Sequence, residues 1–235
     1  MSQEPTALTS AEVGRVRRSS IGLGVAVGAY GIGFGALAVA NGLTVLQAVA
    51  MSLLVFTGAS QFAFIGVVGA GGSPISGVAT ALALGARNTF YGLRMAPTLR
   101  ARGGRRLLAA QITIDESTAM AIAQPSEGLA RVGFWTTGTA VFIFWNIATV
   151  VGAVAAAQIS DPRTIGLDAA VGAAFLALLW PQLTSKTNRV VAAVSATLAL
   201  MLTPVLPPGI PVLLMAGVGI IVAWPEPRHA GDRYA

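Results

Sequence analysis

The sequence has no cysteine and a single histidine, His229, which falls in a polar tail. The first absence excludes disulfides, thiolate metal sites and cysteine nucleophiles. The second leaves no histidine in any apolar stretch, which removes a Ser–His pair and the commonest metal ligand. Charge is also scarce. Only 10% of the 235 residues are charged, against about 25% in an ordinary soluble domain. There is no G-x-x-x-x-G-K-[ST] phosphate loop, so the chain has no ATPase site of that type. An aspartyl pair would need two convergent aspartates. Only Asp115 and Asp168 stand in apolar regions, and Asp168 lies near a segment end. These absences argue against an enzyme, and they imply no cofactor and no metal.

What is abundant is apolar sequence. Hydrophobic residues make up 54% of the chain, with 28 glycines and a mean hydropathy of +0.73. This is the composition of an integral membrane protein, in which small residues let helices approach closely. The net charge is +6. The basic residues sit in short gaps between apolar runs, so they read as topology signals beside anionic headgroups rather than as a nucleic-acid surface. The expected fold is all-α, a polytopic membrane helix bundle with discontinuous or re-entrant helices. One transmembrane domain, 19–224, would lie between cytoplasmic tails at 1–18 and 225–235. The first tail reads as disordered. It is polar, with Glu4 and Glu12, and the apolar run behind it is a full span rather than a signal peptide.

The chain is organised around Leu82–Pro97, LALGARNTFYGLRMAP. Arg87 falls in the middle of an otherwise membrane-spanning run. An arginine there costs about 2.5–3.5 kcal/mol on insertion scales, so it needs a counter-charge or a wet cavity. Arg87, Tyr91 and Arg94 at i, i+4 and i+7 share one helical face, with Asn88 beside them. The best acidic partners are Asp115 and Glu116, of which Asp115 is favoured because adjacent residues point about 100° apart. Upstream, Thr57-Gly58-Ala59-Ser60-Gln61 interrupts the apolar segment Thr44–Val68. Broken helices of this kind line substrate sites in transporters, although a small-residue packing notch would look the same. In the first span (Ser19–Ala40), Gly24, Gly28, Gly31 and Gly35 form a flat seam, most simply a packing face.

Further apolar segments run over Leu107–Gln124, Gly133–Ala157, Gly166–Leu183, Val190–Leu206 and Ile210–Trp224. If every segment crossed fully, the basic N-terminal stretch (Arg15, Arg17, Arg18) and the basic loop Arg100–Arg106 would face opposite sides. Positive charge favours one side, so a segment between 44 and 97 does not cross; the broken 44–68 segment is the candidate for a re-entrant one. The same parity suggests that Leu107–Gln124 dips in and returns if the basic loop at Lys186 and Arg189 is also inside. Half-helices meeting near the midplane would bring Ser60, Gln61, Asp115 and Glu116 toward Arg87. No internal repeat is visible in the sequence.

At these residues the chain resembles the AzlC-type branched-chain amino acid exporters. The likeness rests on FTGASQFAFIG (Phe56–Gly66), ARNTFYGLRMAP (Ala86–Pro97) and TIDEST (Thr113–Thr118), in the family's order. Trp145 with Thr149 and Gly152, and GLDAAVGAAFLALL (Gly166–Leu179), extend it. Two departures are Gly85, where the family often has Asn, and Asn88, where it often has His. The resemblance implies the large subunit of a two-component, gradient-driven exporter working with a small AzlD-type membrane subunit. Its substrates would be branched-chain amino acids, with methionine a further candidate. Its place would be the bacterial cytoplasmic membrane, with the N-terminus cytoplasmic. The implied substrate-binding residues are Gly58, Ala59, Ser60, Gln61, Arg87, Asn88 and Tyr91, with Asp115 and Glu116 coupling to protons. Phe56, Phe62 and Phe64 would supply an apolar wall, and the glycine seam would leave surface for the small subunit. A passive small-solute channel and a non-transporting assembly subunit remain alternatives.

Overall fold

A computed structural model describes residues 8–159, 176, 179–180, 183–211, 213–215 and 217. The expected late span Gly166–Leu183, with Asp168, lies almost wholly outside these residues, as do His229 and the C-terminal tail. The described residues contain helices and no strand. They bear out an all-α membrane bundle with discontinuous helices.

The first crossing is α1 (Ser10–Gly28) followed by α2 (Tyr30–Ala40), in line except for a single αR residue at Ala29. It starts earlier than expected, because Ser10–Arg18 is helical rather than disordered. Thr9 and Glu12 form a reciprocal capping box there: the Thr9 N–H donates to Glu12 Oε2 at 3.0 Å and the Glu12 N–H to Thr9 Oγ1 at 3.3 Å. The hydrogen bonds from Thr9 hold the exposed Glu12 carboxyl below its usual range.

The long helix α9 (Glu127–Ala157) is the second apolar element long enough to cross. It lies parallel to α1–α2, and the glycine seam is the contact. A Cβ at Gly24 would fall on Ala140, at Gly28 on Phe144, at Gly31 on the Trp145 carbonyl and at Gly35 on the Thr149 carbonyl. Any side chain there would push the two helices apart. The seam is therefore an internal packing face, and the expectation that it offers surface to a second subunit is corrected: α9 occupies it.

Between these parallel crossings the chain makes two half-depth excursions. The first is α3 (Val45–Leu54) and α4 (Ala59–Gly69), broken at 55–58. Each is about 15–17 Å long, half of a roughly 30 Å hydrocarbon core. The descent of α3 brings Ser52 to Thr149 (3.2 Å between hydroxyl oxygens) and then Phe56 to Phe142. The break rests on Trp145, near the middle of α9. The ascent of α4 ends with Gly69 against Asn41, where α2 ended. This hairpin enters and leaves by one end of the bundle. Next, α5 (Pro74–Gly85) and α6 (Arg87–Leu99) run in series to the opposite end, with Gly77 beside Phe64, Gly85 beside Ser60, and Arg100 reaching Glu127. From that opposite end, α7 (Gly104–Gln111) rises to a break at 112–114 that packs on Gly138, and α8 (Asp115–Ile122) returns to the start of α9. One segment between 44 and 97 turns back, as the parity of the basic stretches 15–18 and 100–106 requires, and a second hairpin over 104–122 enters from the opposite end; the span leading to the Lys186/Arg189 loop, on which its parity rested, lies outside the described residues.

The two ends differ sharply in charge. One holds Arg15, Arg17, Arg18, Arg100, Arg102, Arg105, Arg106 and Arg131; the other, at 40–44, 69–74 and 157–159, has no charged residue among the described residues. At the basic end Arg131 Nη2 and Arg100 Nη2 reach Glu127 at 3.0 and 3.5 Å, and Arg131 Nε donates to the Thr98 carbonyl at 2.7 Å. Arg105 lies over the Trp135 ring. Later in the chain, α10 (Lys186–Leu202) has no buried residue among those described.

Candidate functional site

The two hairpin breaks and the α5–α6 junction meet at the middle of the bundle. Each break leaves backbone groups without helical partners, and in a dry environment every one must be answered. At the first break two glutamines do this. Gln61 Oε1 accepts from the Gly58 N–H (3.2 Å), and Gln61 Nε2 adds a second donor (3.3 Å) to the Met51 carbonyl, which also accepts from the Val55 N–H (2.9 Å). Gln111, at the end of α7, donates to the Leu53 carbonyl (2.8 Å) and so ties one hairpin to the other. Gly58 has φ +60°, ψ −88°, a conformation that strains any residue with a Cβ. At the second break hydroxyls take over. Ser117 Oγ donates to the Ile112 carbonyl (2.7 Å) and accepts from the Ile114 N–H (3.1 Å), and Thr113 Oγ1 donates to the Ala109 carbonyl (2.6 Å).

Arg87 opens α6, and Asp115 and Glu116 open α8, where the helix dipole favours negative charge. Arg87 Nη2 lies 3.1 Å from Asp115 Oδ2. The favoured partner is thus the observed one. The pair is monodentate and open: the side chains are 40% and 43% exposed, and Arg87 Nε and Asp115 Oδ1 have no hydrogen-bond partner. Tyr91, one turn along, interacts with Asp115 and sits near Arg87 and Glu116. Glu116 lies close to both charges and is half-buried. Arg94 does not join them; it is exposed and forms no ion pair among the described residues.

Beside this pair a cavity of about 1070 Å³ runs between α3, α4 and α5 from the uncharged end, at Asn41 and Pro74, to the breaks, at Thr57, Asn88 and Gln111. Of the expected substrate-binding residues, Ser60 and Asn88 line it, and Gly58, Ala59, Gln61, Arg87 and Tyr91 do not. Gln61 is fully buried, and its amide is committed to the break. Gly58 and Ala59 shape the turn. The expected apolar wall is divided: Phe56 and Phe64 line the cavity, whereas Phe62 belongs to the core with Phe34 and Trp145, at ring-centroid distances of 5.8 and 6.2 Å. Sequence reasoning gave no role to Thr57, Gln111 or Ser117. The available signal was a polar residue beside each apolar break, since only such residues can serve the carbonyls and amides freed there.

Comparison with known proteins identifies the family. The family model described as AzlC protein matches residues 22–159. That span covers both long crossings from Gly22 onward and both hairpins. Two curated relatives, each called an uncharacterized membrane protein, come from two strains of Helicobacter pylori. They are 29% and 28% identical over 160 residues, 67% of this chain and 70% of theirs. No solved structure matches. With the family model covering more than half of its length, the chain is a membrane protein that belongs to the AzlC family.

Proposed function

We propose that the chain is the large subunit of a secondary-active exporter of branched-chain amino acids, with methionine as a further candidate. It would work with a small AzlD-type membrane subunit and be driven by the proton gradient. Family membership supports a transport-related function. The observation that carries the reading is the unsaturated Arg87–Asp115 pair between two opposed re-entrant hairpins, next to a cavity reached from one end. Intramembrane charges at broken helices are the usual dress of a transport site. An amino acid asks for this chemistry: a cation for its carboxylate, oxygen acceptors for its ammonium and an apolar wall for its side chain.

Arg87 would receive the substrate carboxylate, with Asn88 and Tyr91 beside it. Asp115, displaced from the guanidinium, would take up a proton, which couples substrate movement to proton movement. Gly58, Ala59 and Gln61 fix the shape of the break, and Ser60 contacts substrate. The basic end would face the cytoplasm of a bacterial inner membrane, following the positive-inside bias. No catalytic step is assigned to any residue.

The test is transport by the purified subunit pair in liposomes. Saturable, gradient-coupled leucine counterflow is expected. A linear, unsaturable leak would indicate a channel instead, and no flux an assembly subunit.

A further inference from the structure

Three residues of the cavity wall each carry a side-chain oxygen with no hydrogen-bond partner. Thr57 Oγ1, Ser60 Oγ and Asn88 Oδ1 are all buried at the atom level and have no hydrogen-bond partner, and all three residues line the cavity. Ser60 as a residue is only 2% exposed. A buried polar atom left unpaired costs about 1–3 kcal/mol, and three such atoms belong to residues that line this one cavity. They come from three different stretches: the hairpin break, the first turn of α4 and the first turn of α6. Glycine at position 85 keeps the place open, since a Cβ there would come within 3.2 Å of Ser60 Oγ.

The chemistry of the set is specific. Asn88 Oδ1 can only accept, and the two hydroxyls can each accept. None of the three carries a charge, and among the described residues no carboxylate lines the cavity. A primary ammonium has three donors and no acceptor, which matches three neutral oxygens one for one. Around them the wall is Met51, Phe64, Val68, Val78 and Leu82, suited to an aliphatic chain. The cationic Arg87 is next in sequence to Asn88 and is paired with Asp115.

We propose that Thr57, Ser60 and Asn88 form the subsite for the α-ammonium group of an aliphatic amino acid, entered from the uncharged end of the bundle. This rests on the transport reading above and adds to it which atoms hold which end of the substrate. Neutral acceptors leave Asp115 free of the ammonium, so that carboxylate can exchange partners and protons while the substrate stays held.

The chain has no cysteine, so a single one reports cleanly. Ala81→Cys places a thiol in the cavity wall. In the full chain with its small subunit in proteoliposomes, a membrane-impermeant thiol reagent should label it, and leucine should protect it. Ser60→Ala and Thr57→Val, tested separately, remove only unsatisfied hydroxyls and should leave folding intact. Each should raise the leucine concentration for half-protection about tenfold or more, the scale of a hydrogen bond to a charged group. Protection by 4-methylpentanoate, which lacks the ammonium, should be unchanged. Equal losses for both ligands, or no change for either, would overturn the assignment, as would leucine transport with the thiol at position 81 never protected. If leucine neither protects nor is transported but another primary-ammonium amino acid protects in a Ser60-dependent way, the subsite stands and the substrate class falls.

Discussion

The two re-entrant hairpins solve the same problem with different chemistry. The α3–α4 break is uncharged and stitched by long amides, Gln61 and Gln111; beside it the bundle is open toward the uncharged end. The α7–α8 break is stitched by short hydroxyls, carries Asp115 and Glu116 in the first turn beyond it, and packs against Met95, Ala130 and Phe134. The end it enters from is closed by Arg100, Glu127, Arg131 and the Thr98 carbonyl. One hairpin thus borders an accessible cavity and the other holds the titratable charge. Under the transport reading proposed above, access and charge on opposed elements would let one site answer to both sides of a membrane in turn.

The largest effects should come from Arg87, which pairs with Asp115 of the second hairpin and is next in sequence to Asn88 in the cavity wall. Arg87→Ala should abolish counterflow while the protein still inserts. Losing the partner of Asp115 should also cost about 1–3 kcal/mol, less than a fully buried pair because both side chains are partly exposed. Arg87→Lys should remain impaired, since a point charge cannot replace the planar guanidinium. Transport assay and thermal unfolding of the same samples separate the two losses.

Next come the carboxylates, which sharpen the contrast between hairpins. Asp115→Asn should keep substrate exchange but lose proton-driven accumulation, measured as the ratio of counterflow to gradient-driven uptake. Glu116→Gln should be milder, because Arg87 pairs with Asp115. Full pH-dependent accumulation in both variants would make the carboxylates structural.

A smaller effect is expected at the uncharged break. Gln61→Leu fills the same space but strands the Gly58 N–H, while the Met51 carbonyl keeps the Val55 N–H, at a cost of about 1–3 kcal/mol. Its signature should be lowered thermal stability with the leucine affinity of the surviving fraction little changed. A large affinity loss at normal stability would instead make Gln61 a direct ligand.

Much of this arrangement was legible in the sequence because membranes make a few signals expensive. An arginine in an apolar run required a partner, and the scarcity of acids left Asp115 or Glu116 to supply it. The parity of the basic stretches 15–18 and 100–106 required one segment that turns back. What stayed hidden was the side on which residues face. Gln61 looked like a ligand but serves the backbone, a distinction that depends on which way one amide points. The glycine seam gave its packing role away but not its partner, because α9 is about a hundred residues downstream and only the assembled bundle brings them together. The capping box at Thr9 was visible as T-x-x-E, yet its polar surroundings read as a tail.

The central claim is that both broken segments turn back in the membrane and enter it from opposite ends. Single substitutions Ala70→Cys, where α4 ends, and Pro125→Cys, between α8 and α9, test it in the cysteine-free chain, with Gly42→Cys and Arg102→Cys as markers of the two faces. An impermeant thiol reagent is applied to sealed right-side-out and inverted vesicles. The thiol at position 70 should label on the same face as the one at position 42. The thiol at position 125 should label on the opposite face, together with the one at position 102. If position 70 labels with position 102, or position 125 with position 42, the corresponding hairpin crosses the membrane and the account is contradicted.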